Sequence, residues 1–124
     1  MRTILIDTHI LLWTLYDSNR IIKDHQLLLI NPENQILVST ASLFELGIKK
    51  SIGKLQTPHN VSELLDLTSF EELTISSIHI DVLSEIEWFH KDPFDKMIIA
   101  QALSENLEII SYDSQFKKYS LMLI

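Results

Sequence analysis

The sequence predicts an α/β domain built on a central five-stranded parallel sheet, and three observations carry that expectation. Short apolar runs without alternation recur, first at Thr3–Ile6 (TILI) and again at residues 36–39 (ILVS); runs of this kind belong to strands covered on both faces, as in parallel sheets. Segments with helical spacing separate them, which suits crossover connections. Finally, the first strand runs straight into Asp7, at the edge where open parallel sheets gather their ligands.

The elements follow in order. After the strand at Thr3–Ile6, Thr8–Tyr16 has amphipathic spacing, with Ile10, Leu11, Trp13 and Leu15 able to return to the sheet. Asp17-Ser18-Asn19 reads as a turn. Residues 21–30 read as a helix ended by Asn31-Pro32, apolar on more than one face at LLLI, so its end suits either the core or a groove for another chain. Residues 36–39 form the second strand and 40–50 a helix with Leu43, Phe44, Leu46 and Ile48 inward; Gly47 within it weakens the helix by about 1 kcal/mol against Ala and is expected to serve close packing. A helix over 61–70, a third strand at 73–75 and a helix over 78–89 follow. Asp92 then caps a helix that has Pro93 in its first turn and runs to Glu105. Residues 107–111 make the fourth strand, 114–119 a helical turn and 121–124 the fifth strand. Nothing in the 124 residues reads as a repeat, a low-complexity tract or a linker, so residues 1–124 are expected to form a single domain.

Composition narrows the class. A hydrophobic fraction of 46% and a mean hydropathy of +0.14 are generous for a water-facing domain and suggest apolar surface reserved for a partner or a second copy. No run approaches the roughly 18–20 apolar residues of a membrane span, and no signal-peptide pattern opens the chain, so the expected location is cytoplasmic. The absence of Cys removes disulfides, thiolate metal sites and cysteine nucleophiles together. A net charge of −7, from 10 basic and 17 acidic residues, argues against nucleic-acid affinity through bulk charge. It does not argue against a nucleic-acid enzyme, because carboxylates that hold a cation are neutralised when it binds.

Each acid has an ordinary local reading. Asp7 can cap the helix after it, Ser42 and Glu45 form the S-x-x-E of a capping box, Asp92 and Asp95 flank Pro93 at the cap and third positions, and Asp113 can begin an Asx-turn. A parallel sheet, however, places Asp7, Glu45, Asp95 and Asp113 on one rim, where four carboxylates repel one another unless a positive charge lies between them. A hard divalent cation answers that need: Mg2+ or Mn2+ prefers oxygen ligands and keeps several waters, so an acid cluster without Cys or paired His suits it better than zinc. Such a site can activate a water against a phosphodiester and take up charge on the departing oxygen. Thr8, Ser39 and Ser111 can orient waters there or serve caps and turns.

With these residues placed, the sequence resembles the PIN-domain ribonucleases, and within them the VapC-like toxins of type II toxin-antitoxin systems. The resemblance rests on IDTHILLW at 6–13, STASLFELGIKKSIGKL at 39–55, HKDPFDKMIIAQA at 90–102 and IISYDSQFKKY at 109–119, and covers essentially the whole chain. It implies a PIN-like three-layer α/β/α sandwich and a metal-dependent endoribonuclease. Asp7, Glu45, Asp95 and Asp113 correspond to an acidic quartet that holds one or two Mg2+ or Mn2+ ions, and Asp92 belongs to a DPFD variant in a supporting role. Ser111 takes the place of a Thr or Ser two residues before the last acid. The resemblance also implies a small antitoxin whose C-terminal segment covers the acids, and a toxin homodimer.

The acidic pI leaves RNA docking to local cations. Lys49, Lys50, Lys54, Lys91 and Lys96 lie near the expected rim and can meet phosphates, or form a solvated helix face. His9 and His90 flank the motifs but are expected to be structural, since a bound ion already supplies an activated water. Trp13 and Trp88, at helical spacing among aliphatic residues, are expected in the core or an interface rather than under a base. A receiver domain is excluded by Ile75-Ser76-Ser77 after the third strand, and a phosphatase with paired Asp residues by His9 two positions after Asp7. The competing reading is a PIN fold that only binds protein or RNA; retention of all four acids favours the enzyme.

Overall fold

A computed structural model describes residues 1–124. Its five strands form one parallel sheet: β1 (Thr3–Ile6), β2 (Gln35–Ser39), β3 (Glu71–Leu73), β4 (Glu108–Ile110) and β5 (Met122–Leu123), in the order β3-β2-β1-β4-β5. The helices are α1 (Thr8–Tyr16), α2 (Lys23–Ile30), α3 (Thr40–Ser51), α4 (Val61–Asp66), α5 (Ser77–Glu85) and α6 (Pro93–Glu105), with 3-10 turns at Ser18–Arg20 and Ser114–Lys118. The chain steps outward from β1 to β3 and then returns to the far side of β1 for β4, which makes the β1/β4 boundary the place where the strand order reverses.

Alternation across the central strands builds two cores. Ile4, Ile6, Ile36, Val38 and Ile110 face one cluster with Ile10, Leu11, Leu46 and Leu64; Leu5, Leu37 and Ile109 face the other with Met97 to Ala100, Phe116 and Tyr119. Side chains of successive strand residues point to opposite faces, so an unbroken apolar run is what a sheet sandwiched between helices requires. The expected three-layer α/β/α sandwich is observed.

Several boundaries differ from expectation, each for a local reason. The second helix begins at Lys23, because Ser18–Arg20 closes a 3-10 turn and Ile22 is extended. Of its apolar end, Leu29 enters the core while Leu27 and Ile30 remain exposed. The fourth helix stops at Asp66 rather than Phe70, where Ser69 takes a left-handed φ of 61°. The third strand lies at Glu71–Leu73, two residues earlier than expected: it is an edge strand with exposed acids, anchored by Gln35 Nε2 on Glu71 and Thr40 Oγ1 on Glu72, both 2.7 Å. Charged side chains guard sheet edges, and an apolar-run criterion passes over them. The fifth helix ends at Glu85 rather than Phe89.

Gly47 is a correction as well. Nothing stands within 4 Å of a Cβ placed there, so close packing does not account for it. Gly53 does have a conformational reason: with φ of 78° it ends α3 in a Schellman turn, its amide donating to Lys50 O at 3.3 Å and that of Lys54 to Lys49 O at 2.8 Å.

Candidate metal and active site

The carboxyl ends of β2, β1 and β4 are tied together by side chains. Asp7 caps α1 by accepting from the Ile10 amide at 2.9 Å, and its other oxygen accepts from Ser111 Oγ at 2.5 Å. Ser111 Oγ accepts in turn from the Asp113 amide at 3.2 Å, so one hydroxyl joins the ends of β1 and β4. Across β1, Thr8 Oγ1 lies 2.9 Å from both Glu45 Oε1 and Ser42 Oγ. Its single proton goes to the carboxylate, which has none, and Thr8 accepts from Ser42. Asp113 caps the last 3-10 turn through the Gln115 amide at 2.9 Å. Asp92 caps α6 by accepting from the amides of Phe94 and Asp95 at 2.9 and 3.1 Å, which sets Asp95 in the first turn.

The electrostatics show how closely these groups share one field. Asp95 is pushed up from 3.8 to about 7, first by burial and then by the charges of Asp92, Asp113, Glu45 and Asp7. Asp7 is also raised, chiefly by burial and further by Asp113, against the hydrogen bonds from Ser111 and Ile10 and the pull of His9. Like charges gathered in a poorly solvated place favour the protonated form until a cation arrives.

No three His, Asp or Glu side chains close around one point tightly enough to hold an ion directly. The donors are nonetheless all hard oxygens, with no thiol in the chain, and an ion that keeps several waters needs only one or two direct carboxylates. By donor chemistry the site fits Mg2+ or Mn2+.

Other expected site residues fall into place unevenly. Ser39 Oγ accepts from the Ala41 amide at 3.0 Å; it caps α3 and bonds to no acid. Because α3 begins at Thr40, Ser42 and Glu45 form no capping box: Ser42 is buried beside Thr8. Lys49 Nζ pairs with Glu45 at 3.0 Å and, with Lys54 and Lys91, lines a cleft of about 450 Å³ beside the acids. Lys50 is drawn away, donating to His59 O at 2.6 Å. Lys96 is overturned as a phosphate contact. It is fully buried, donates to Glu87 O at 2.5 Å and sits 3.9 Å from the Trp88 ring centroid, and its desolvation lowers its pKa. Trp88 is more than half exposed and covers this ammonium rather than entering the core. His90 braces the loop before α6: Nδ1 lies 2.8 Å from the Tyr119 hydroxyl and Nε2 3.4 Å from Asp95.

Three rings also reach the site: His9 and Trp13, which the sequence led us to expect as structural, and Tyr112, which it did not mark, join Asp7 and Asp113 around a cleft of about 230 Å³. Tyr112 lies between Ser111 and Asp113, and His9 is two residues beyond Asp7, so adjacency to the acids was the available signal.

Comparison with known proteins follows the same line. The PIN domain family model matches residues 4–121. No curated protein matches by sequence. Among solved structures, the chain is similar to VapBC2 from Rickettsia felis bound to a DNA fragment from its promoter, with TM-score 0.75 and 20% identity over 98% of this chain and 97% of that one. It is similar to VapBC-1 from nontypeable Haemophilus influenzae, with TM-score 0.72 and 18% identity over 98% and 96%. A toxin-antitoxin complex from Klebsiella pneumoniae gives TM-score 0.64 and 21% identity over 97% and 94%. These identities speak to the shared fold, and the family match spans nearly the whole chain: the protein belongs to the PIN domain family.

Proposed function

We propose that the chain is a metal-dependent endoribonuclease, the toxin of a type II toxin-antitoxin pair, which hydrolyses RNA phosphodiester bonds with Mg2+ or Mn2+ at Asp7, Glu45, Asp95 and Asp113. The observation that carries this reading is the shared field of those acids beside the carboxyl ends of β2, β1 and β4: Asp95, in the first turn of α6, is raised to about 7 by burial and by the charges of Asp92, Asp113, Glu45 and Asp7. Membership of the PIN family and likeness to toxin-antitoxin structures support it.

A bound divalent ion supplies an activated water and neutralises charge on the departing oxygen. The protein's own groups do the rest. Ser111 and the Ile10 amide fix the Asp7 carboxylate, Thr8 fixes Glu45, and Asp92 sets the turn that presents Asp95. Lys49, Lys54 and Lys91 meet the RNA backbone along the adjoining cleft. Phe44 and Ile48 on α3 and Ile52 at its C-cap lie four residues apart and are exposed, and Ile48 and Ile52 line the same cleft as Glu45. That stripe suits a second copy, or an antitoxin that is apolar along one stretch and cationic at its tip.

The test is cleavage of a mixed pool of transfer, ribosomal and messenger RNA by antitoxin-free protein with Mg2+ or Mn2+, beside EDTA and Asp7→Asn controls. Discrete products absent from both controls are expected. Products that persist in Asp7→Asn, or no cleavage by folded protein that binds the metal, would move the reading to a non-catalytic PIN binding module.

A further inference from the structure

A row of rings runs away from the acids and has no part in the chemistry above. His9, Trp13, Tyr112 and His25 follow one another with centroids 5.8, 5.8 and 5.5 Å apart. The Tyr112 ring is held from behind: its hydroxyl lies 2.7 Å from His25 Nδ1 and accepts from the Ile22 amide at 3.1 Å. Trp13 leans on the hydrophobic core, and the Arg20 guanidinium stands 4.6 Å from its centroid without pairing to any carboxylate. His9 and Tyr112 remain open to solvent, and the space that these rings share with Asp7 and Asp113 is the 230 Å³ cleft.

We propose that this cleft is a base-stacking subsite for single-stranded RNA, in which a nucleobase lies against Trp13 and Tyr112 while the neighbouring phosphodiester stands at Asp7 and Asp113. The proposal rests on the ribonuclease reading, since that reading brings a nucleotide chain across these acids. The chemistry of the walls favours a base over an aliphatic side chain. A base offers a π face to the rings and polar edge groups to the floor, whereas an aliphatic group would strip water from two carboxylates and return no hydrogen bond. Single-stranded RNA is also the form whose bases are free to splay onto aromatic rings. The rings are already fixed, by the core under Trp13 and by His25 and Ile22 behind Tyr112, so little ordering is left to do on binding. Trp13, expected from sequence in the core or an interface rather than under a base, then packs on the core, carries Arg20 over its ring and turns its remaining exposed surface to the substrate.

The experiment is tryptophan fluorescence. Trp88→Phe leaves Trp13 as the only tryptophan of two, and Asp95→Asn in the same chain keeps bound RNA uncut. A mixed-sequence RNA decamer and an abasic decamer of equal length are titrated in Mg2+. The expected result is strong quenching by the RNA decamer, bound about tenfold or more tightly than the abasic one, the size of a single lost stack. In Tyr112→Leu this preference should shrink, and in Trp13→Phe, which keeps a ring, the preference measured by fluorescence anisotropy of labelled decamers should largely remain. Equal affinity for the two decamers, or binding without quenching, would overturn the subsite. So would shielding of Trp13 by a partner protein but not by RNA. Cleavage by the unaltered protein is run in parallel to separate the two readings. Cleavage without base-dependent quenching sinks the subsite alone, whereas base-dependent quenching without metal-dependent cleavage sinks the nuclease and leaves an RNA-binding cleft.

Discussion

Asp95→Asn should make the metal-free protein more stable at neutral pH, although it removes one of the four acids proposed to hold the metal. Asp95 rises from an ordinary 3.8 to about 7 in the folded chain, chiefly through burial and then through four neighbouring carboxylates. A folded carboxyl that holds its proton more tightly than the unfolded one makes stability fall as pH climbs from about 4 to about 7, and the full penalty persists above that. At about 1.4 kcal/mol per pH unit the penalty is of order 4 kcal/mol; the side chain keeps 16% exposure, and solvent screening brings the working figure to about 2–3 kcal/mol. Urea melts in EDTA between pH 4.5 and 8 measure it. The unaltered chain should lose stability across that window, and the loss should be smaller by about 2–3 kcal/mol in Asp95→Asn. Mg2+ should restore stability to the former at pH 7.5 and much less to the latter, since a ligand stabilises only the state that binds it. Parallel pH profiles for the two proteins, or an unaltered chain that gains stability relative to the variant from pH 4.5 to 7, would refute the account of a mutually repelling cluster.

Three further outcomes follow from individual contacts. Gly47→Ala meets open space in the middle of α3 and should stabilise the chain by about 1 kcal/mol, seen as a rise in Tm of about 3–5 °C; a fall would mean that the helix packs more closely than observed. Ser111→Ala removes the hydroxyl that satisfies a buried Asp7 oxygen and should cost about 1–3 kcal/mol in EDTA, with Ser111→Thr recovering most of it by chemical denaturation. Lys96→Ala should destabilise by about 2–4 kcal/mol through the cavity it leaves while leaving the salt dependence of RNA affinity unchanged; Lys49→Glu with Lys91→Glu should weaken binding and flatten that dependence in filter-binding titrations.

The local structure around the candidate acids was readable from the chain because it is set by near neighbours. Asp7, Asp92 and Asp113 each cap the element that follows them, and a cap is written in neighbouring residues. The central strands were readable for a related reason: a segment buried on both faces must be apolar throughout, as Ile4 to Ile6 are. The edge strand was displaced because a strand with one free side carries charge, and Glu71 and Glu72 resemble a loop to any rule that seeks hydrophobic runs.

The sequence by itself determined the parallel α/β architecture and the acids that follow its strands, since periodicity, caps and strand composition are short-range properties. Only the tertiary structure decided which neighbours of those acids face them. Lys96 and Lys91 flank the same helix start, yet one ends under Trp88 against the Glu87 carbonyl and the other lines the cleft. Trp13 and Tyr112, on α1 and beyond β4, share a wall because β1 and β4 are adjacent in the sheet. Burial and juxtaposition depend on the packing of elements distant in sequence, and a side chain's charge or ring does not reveal in advance which surface will close over it.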